Sequence, residues 1–203
     1  MPLYNASTGF LQIVGADKDT VIVSGTDTVC CTLPTGGGTF NISGCTFKMT
    51  ATSAGPANAA KYCIWVNAGA SSSISNCNFQ YYENSDAVGV TAVFHVQGSL
   101  GVGSNCQLDL YGRSSNSTLR VWSLQGGMST LSSDLTANGT FGLFVRAEGG
   151  TWYRSTALPV ISGTGTGKRY EVRTFGVINT RGGGAAFLPG DVEGTILVNN
   201  QYS

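Results

Sequence analysis

Residues 41–47 read Asn-Ile-Ser-Gly-Cys-Thr-Phe, and residues 73–79 repeat the pattern as Ser-Ile-Ser-Asn-Cys-Asn-Phe. A looser copy, Val-Gly-Ser-Asn-Cys-Gln-Leu, occupies residues 102–108, and a faint fourth, Leu-Ser-Ser-Asp-Leu, occupies residues 131–135. The anchor positions of the four copies are spaced 32, 29 and 27 residues apart, at Cys45, Cys77, Cys106 and Ser133. A degenerate period of roughly 30 residues is typical of stacked repeat architectures.

A second recurring segment keeps step with the first. It is a short strand with apolar residues at alternate positions, and its four copies begin at Ile64, Phe94, Trp122 and Leu143. Both motifs lie among Ser, Thr, Asn and Gly, which are poor helix formers. The pattern predicts an all-β solenoid in which like residues stack from coil to coil at about 4.8 Å. Its interior would then contain a ladder of small apolar thiols: Cys45, Cys77 and Cys106. A β-sandwich or jelly roll, which also has many short strands and turns, is the alternative.

The composition agrees with a folded chain made almost entirely of strands. Of 203 residues, 41% are hydrophobic and only 11% are charged, whereas about a quarter charged is usual. Nine Phe, eight Tyr and three Trp supply core material, which argues against disorder. Because the net charge is zero, nothing indicates a nucleic-acid partner or an anionic membrane. No apolar run approaches the ~20 residues of a membrane span, so we expect no membrane insertion.

The cysteines favour reduced, buried thiols. Six cysteines occur without a Cys-x-x-Cys pair, and the chain has one histidine, which disfavours a zinc site. Because we find no signal peptide at Met1, we expect a protein made in a cytoplasm. Motifs for phosphate cradles, dinucleotides and nucleophile elbows do not occur, so we expect no metal and no cofactor.

We divide the chain into three parts. Residues 1–38 are expected to form N-terminal capping strands or the first coil, because a solenoid end otherwise offers an unpaired edge. Residues 39–160 hold the β-helix repeats, and residues 161–203 form a small C-terminal β module.

Candidate binding residues come from the second motif. Period-two alternation puts a column of side chains outward, stacked one above another: Trp65, His95, Ser123 and Phe144. Exposed aromatics in a row favour a subunit interface or a platform for sugar rings, although the chain's own loops could also cover them. Further candidates for sugar contact lie in the segment Tyr81, Tyr82 and Glu83.

Catalytic residues are harder to find. Glycan cleavage needs two carboxylates about 5–9.5 Å apart, and the best-placed pair is Asp109 and Asp134, about one coil apart in sequence. A one-position offset would turn one of them to the other face, and surface solvation is the alternative role for both. The sequence therefore favours a protein without catalysis, with polysaccharide hydrolase or lyase activity as the alternative.

The C-terminal sequence resembles a known family. Gly182-Gly183-Gly184 is followed by Phe187, then Pro189-Gly190, Gly194-Thr195 and a closing Gln201-Tyr202. This arrangement resembles the C-terminal ends of bacteriophage tail-fibre and tailspike-like proteins, and the stacked strands before it resemble their β-helical bodies more loosely.

The resemblance implies a right-handed parallel β-helix assembled as a homotrimer and displayed on a virion. It implies contacts with other virion proteins and attachment to host-surface polysaccharide, with residues 161–203 as an oligomerisation or tip element. Two alternatives stay open: a tailspike that depolymerises glycan, and a decoration or cement protein of a capsid or tail.

Overall fold

The computed structural model describes residues 10–52, 60–84, 91–113, 117–197 and 201–203. Within these ranges the regular elements are β-strands, and there is no helix. In chain order they are β1 (Phe10–Val14), β2 (Ile22–Thr26), β3 (Val29–Leu33), β4 (Gly38–Ser43), β5 (Thr46–Ala51), β6 (Lys61–Val66), β7 (Ala70–Ser75), β8 (Asn78–Glu83), β9 (Thr91–Val96), β10 (Ser99–Val102), β11 (Cys106–Tyr111), β12 (Arg120–Gln125), β13 (Met128–Leu131), β14 (Leu135–Glu148), β15 (Thr151–Arg154), β16 (Ile161–Ser162), β17 (Thr166–Arg173), β18 (Val177–Asn179), β19 (Thr195–Ile196) and β20 (Gln201–Tyr202).

The strands stack as a parallel β-solenoid of about five turns. One eight-stranded sheet has the order β1-β4-β7-β10-β13-β15-β18-β20, and a twelve-stranded sheet contains β2-β5-β8-β11-β14-β12-β9-β6-β3. Every pairing between these strands in the described residues is parallel. Each strand therefore pairs with its counterpart on the next turn, which confirms the predicted solenoid.

The solenoid has three faces. The first face is the eight-stranded sheet. The second face contains β2, β5, β8, β11 and the start of β14, and the third contains β3, β6, β9, β12 and the end of β14. On turns two to four a chain segment separates the second-face strand from the third-face strand, whereas β14 runs through this corner as one strand of 14 residues. The fifth turn therefore has no loop at a corner where earlier turns have one.

The recurring Gly-Cys and Asn-Cys dipeptides build the corner between the first and second faces. Gly44, Asn76 and Asn105 have φ angles of 68°, 50° and 56°, in the left-handed region that glycine and asparagine tolerate best. The residue after each of them is a buried cysteine that immediately precedes or begins a second-face strand. The strand registers stack these residues on successive turns and confirm the predicted thiol ladder: Cys45, Cys77 and Cys106. All six cysteines are buried free thiols.

Aromatic rings continue the core across the turns. Phe47 stacks on Phe79 with ring centroids 5.4 Å apart, and Phe79 meets Phe94 at 4.7 Å. Phe94 contacts Trp122 at 5.0 Å, and Trp122 contacts Phe144 at 5.4 Å. Because these rings are almost completely buried, truncating one of them to alanine would cost about 3–5 kcal/mol.

The last copies of both sequence motifs are out of step with our alignment. Cys106 pairs with Leu135, two positions after the predicted anchor Ser133. Trp122 pairs with Val145, two positions after Leu143. Cys106 and Leu135 keep the 29-residue spacing of the previous turn, so the first error comes from the absence of a cysteine at this position. The second error arises because the missing corner loop in β14 shortens the spacing from Trp122 to Val145 to 23 residues.

The prediction that Phe144 lies outward is wrong. Phe144 and Val145 are both fully buried, as are Cys63 and Ile64 at the equivalent position three turns earlier. Strict alternation therefore breaks within each third-face strand, because one residue is skipped in the strand pairing and faces the core together with the next residue.

Residues 161–197 and 201–203 extend the stack. β16 and β17 pair with β14, β18 pairs with β15, and β20 pairs with β18. Within the glycine-rich segment, Leu188 is fully buried and Phe187 packs against Trp152 with ring centroids 6.3 Å apart. The Arg154 guanidinium lies 4.4 Å from the centre of the Phe187 ring. This segment covers the interior beside the final turns.

Candidate binding groove and its aromatic flanks

A groove of about 340 Å³ crosses the solenoid at the corner that β14 passes without a loop. Its floor is formed by β14 residues 140–142, and one wall by Arg113 and Ser117 from the segment between β11 and β12. The opposite wall comes from residues 166–168 of β17 and from Asp191 and Val192. The segment between β11 and β12 stands beside this corner on the fourth turn, whereas the fifth turn in β14 and the sixth turn from β16 to β17 pass it without a loop.

Glu83 holds in place the wall that contains Arg113 and Ser117. Its side chain is fully buried, and its carboxylate accepts hydrogen bonds from Arg113 N at 3.1 Å and from Ser117 Oγ at 2.6 Å. It also accepts from Thr118 N at 3.0 Å and from Thr118 Oγ1 at 2.7 Å. Glu83 therefore supports the groove from inside and offers no oxygen to a ligand, contrary to the sugar-contact role that we expected.

The two neighbouring tyrosines point in opposite directions. Tyr81 is fully buried, and its hydroxyl donates to the Lys61 carbonyl oxygen at 2.8 Å. Burial raises the pKa of Tyr81 above its usual range. Tyr82 faces outward and stacks on Tyr111 of the next turn, with ring centroids 4.5 Å apart and planes 3° from parallel. Lys48 Nζ lies 5.3 Å from the centre of the Tyr82 ring.

Tyr111 is the member of this stack that a ligand can reach. Its side chain is 52% exposed, and the next position in its column is Thr140, whose short side chain lies on the groove floor. The ring face turned toward β14 therefore has no third aromatic over it. Sequence reasoning missed Tyr111. Tyr82 and Tyr111 are 29 residues apart, the same spacing as Cys77 and Cys106, so the repeat could have predicted that the two tyrosines stack.

The structure keeps the two candidate catalytic carboxylates apart. Asp109 pairs with Asn138 on the next turn and accepts hydrogen bonds from Gln107 Nε2 at 2.9 and 3.1 Å. Asp134 lies at the first corner and accepts a hydrogen bond from Val160 N at 2.7 Å. Asp134 lies four residues before Asn138, the residue that pairs with Asp109, which is roughly 13 Å along a strand. The two carboxylates are therefore farther apart than the catalytic pairs of glycosidases.

A second cluster lies on the third face and comprises Tyr62, Trp65, His95, Arg120 and Ser123; we call it the arginine–aromatic cluster. The Tyr62 ring stacks on His95 with centroids 4.5 Å apart, and Trp65 meets both rings edge-on at 5.7 Å. His95 is only 3% exposed, although it faces the outer side of its strand. Burial, assisted by the Arg120 charge, lowers the pKa of His95 to about 4, so the imidazole is neutral at pH 7.

The predicted stacking of this column is correct over three turns, but His95 and Ser123 are only 3% and 1% exposed, so these members are covered instead of exposed. Trp65 pairs with His95, and His95 pairs with Ser123. The next member is Arg146, which replaces the predicted Phe144. Arg146 Nη2 lies 2.9 Å from Glu148 Oε2, so this arginine is ion-paired.

Among the described residues, no group of three or more His, Cys, Asp or Glu side chains is arranged to hold a metal ion. The described part of the chain also contains no helix long and apolar enough to cross a membrane. No protein-family model, curated protein or solved structure matches the chain significantly.

Proposed function

We propose that this protein is a bacteriophage virion protein of the tail-fibre or tailspike type, which attaches to host-surface glycan without cleaving it. In this proposal the solenoid is a right-handed β-helix, assembled as a homotrimer and bound to other virion proteins. The observation that carries it is the groove across β14, flanked by the stacked and exposed Tyr111 ring.

The groove has the chemistry of a sugar-binding site. Sugar rings present apolar faces that pack on aromatic rings, and Tyr111 offers one at the groove edge. Hydroxyl groups line the floor and walls at Ser117, Thr140 and Thr166, and Thr140 Oγ1 lies 3.3 Å from Thr166 Oγ1. Asp191, which lines the groove, accepts a hydrogen bond from Gly167 N at 2.7 Å, and Glu83 behind the wall accepts four, which supports binding without catalysis.

The test of binding is an array of bacterial lipopolysaccharides and capsular polysaccharides. We expect the wild-type protein to bind a defined subset, and Tyr111→Ala to weaken that binding about tenfold through loss of ring stacking. Tyr153→Ala is the matched control, because Tyr153 is a tyrosine of the first face, in β15. Equal losses in both variants, or no glycan bound by the wild type, would contradict the proposal.

Two further measurements test its other parts. Sedimentation should give a species near three times 21.0 kDa that persists on dilution, whereas a monomer would contradict the trimer. Incubation with a bound polysaccharide should release no new reducing or unsaturated ends, and their appearance would make the protein a depolymerase.

A further inference from the structure

The third face carries an excess of positive charge next to the groove. Strands β12, β14 and β17 together hold two glutamates and five cationic residues: Arg120, Arg146, Lys168, Arg169 and Arg173. Lys168 lines the groove, and the register places Leu143 and then Arg120 above it in the same column. Arg120 therefore lies two rungs from the groove wall, about 10 Å at the spacing of parallel strands.

Of these five cationic residues, Arg120 and Arg169 form no ion pair among the described residues, and Arg120 is the one that belongs to the arginine–aromatic cluster. Among the described residues, no carboxylate oxygen lies within 4.0 Å of its guanidinium, and its one hydrogen bond is a long one, from Nη1 to Ser123 Oγ at 3.4 Å. Both carboxylates of this face lie beside other arginines, since Glu148 pairs with Arg146 and Glu171 with Arg173. Burial, and then the neighbouring Arg146 charge, lower the pKa of Arg120.

The residues around Arg120 leave buried polar atoms without hydrogen-bond partners. Trp65 Nε1 and His95 Nδ1 are buried and have no hydrogen-bond partner, and His95 is more than nine-tenths buried. An indole N–H can only donate, and a guanidinium presents five donors in a planar fork. Leaving such groups buried and unpaired is costly, so the cluster suits a ligand that brings acceptor oxygens and a negative charge. A carboxylate meets both requirements and fits the arginine fork.

We propose that the arginine–aromatic cluster binds the carboxylate of an acidic sugar, a uronic or sialic acid residue, within the glycan that the groove holds. This inference rests on the proposed glycan-binding function and narrows its ligand class to acidic polysaccharides. The acidic residue lies over Arg120 and Trp65, and neighbouring sugar units continue past Lys168 toward Tyr111.

The test uses fluorine NMR of the full chain labelled with fluorotryptophan. The three tryptophans serve as site probe and internal references, because Trp65 belongs to the cluster while Trp122 and Trp152 are fully buried in the core. Titration with glucuronate and with N-acetylneuraminate should shift the Trp65 resonance saturably and leave the other two in place. Glucose and the methyl ester of glucuronate, which lack the charge, should leave all three in place.

The variants assign the effect to Arg120. Arg120→Gln should weaken binding of the acids at least tenfold, the size expected for losing charge-assisted hydrogen bonds. Arg181→Gln removes the same charge from an exposed arginine outside the cluster and should bind as the wild type does. The Trp122 and Trp152 resonances report whether Arg120→Gln is folded.

Three results would overturn the inference: a Trp65 resonance that neither acid moves at tens of millimolar, equal shifts with glucose, or equal binding by Arg120→Gln and the wild type. If any of these occurs while glycan binding on the array still depends on Tyr111, the proposed function stands without its acidic ligand. If no glycan binds on the array, the proposed function fails independently of the NMR result.

Discussion

Replacing Glu83 by glutamine tests whether this carboxylate holds the groove wall. In the wild type each carboxylate oxygen accepts two hydrogen bonds, Oε2 from Arg113 N and Ser117 Oγ, and Oε1 from Thr118 N and Oγ1. Glutamine turns one oxygen into an NH₂ group, so one pair of donors loses its acceptor. The hydroxyl of that pair can rotate and accept from the new amide, but the backbone N–H cannot.

The expected loss follows from that one unpaired N–H and from the removal of the charge. A hydrogen bond to a charged group contributes about 1.5–3 kcal/mol, and an unsatisfied buried donor costs a similar amount. We therefore expect Glu83→Gln to lower the free energy of unfolding by about 3 kcal/mol. For a chain of 203 residues, this corresponds to a fall in Tm of about 6–12 °C. Differential scanning calorimetry at one fixed protein concentration measures it, because assembly makes Tm depend on concentration.

The control is Asp109→Asn, which neutralises an outward carboxylate on the same face. Asp109 accepts from Gln107 alone among the described side chains, so we expect a change within about 0.5 kcal/mol. Glycan binding should also weaken in Glu83→Gln, because Arg113 and Ser117 lose their common anchor. If Glu83→Gln and Asp109→Asn have the same Tm, the hydrogen bonds to Glu83 do not stabilise the wall and the prediction is refuted.

Two further predictions concern buried ionisable groups. Lys61 Nζ lies 3.0 Å from Asp27 Oδ1, and the Lys61 side chain is completely buried. Lys61→Met should therefore lower the free energy of unfolding, measured in urea, by about 3–5 kcal/mol, because the Asp27 carboxylate loses its cationic partner. Lys48→Met is the exposed control, and equal stabilities of the two variants would contradict the prediction. Burial would raise the pKa of Asp27, but hydrogen bonds from Thr52 and Lys61 outweigh it and lower the pKa, so this stabilisation is present above the unfolded pKa and is lost as pH falls through the lowered folded value. The depressed pKa of His95, about 4, lies below the unfolded value of about 6.5, so the free energy of unfolding should fall between pH 6.5 and pH 4. In His95→Gln the free energy of unfolding should depend less on pH over this interval. An unchanged pH dependence would exclude His95 as its source.

The sequence predicted the parts of the fold that the core controls. Inward positions must match from turn to turn because each side chain packs on its counterpart, so the cysteines at 45, 77 and 106 recur with their left-handed glycine or asparagine before them. The same requirement made Trp65, His95 and Ser123 identifiable as one column. Residues 1–9, part of the predicted N-terminal cap, lie outside the described residues.

The errors occur where a strand departs from regular alternation or ends. Alternation assumes an uninterrupted pairing register, but each third-face strand skips one residue and turns two successive residues to the core, and this reversed the predicted direction of Phe144. Glu83 was expected to contact sugar as part of the Tyr81–Tyr82–Glu83 segment, and its four donors could not be foreseen, since they come from a segment about 30 residues later.

The candidate binding features lie where the repeat is broken. Outward positions are free of the packing requirement, so the column that contains Tyr62 and Ala92 can change to Arg120 on the fourth turn without disturbing the core. The groove has the same origin, because the loop missing from the fifth turn leaves the stacking of β14 on β11 and β12 intact while opening space beside it. In a solenoid the period therefore locates the scaffold, and departures from the period, in loop length or in outward residue type, mark the positions that can acquire a ligand.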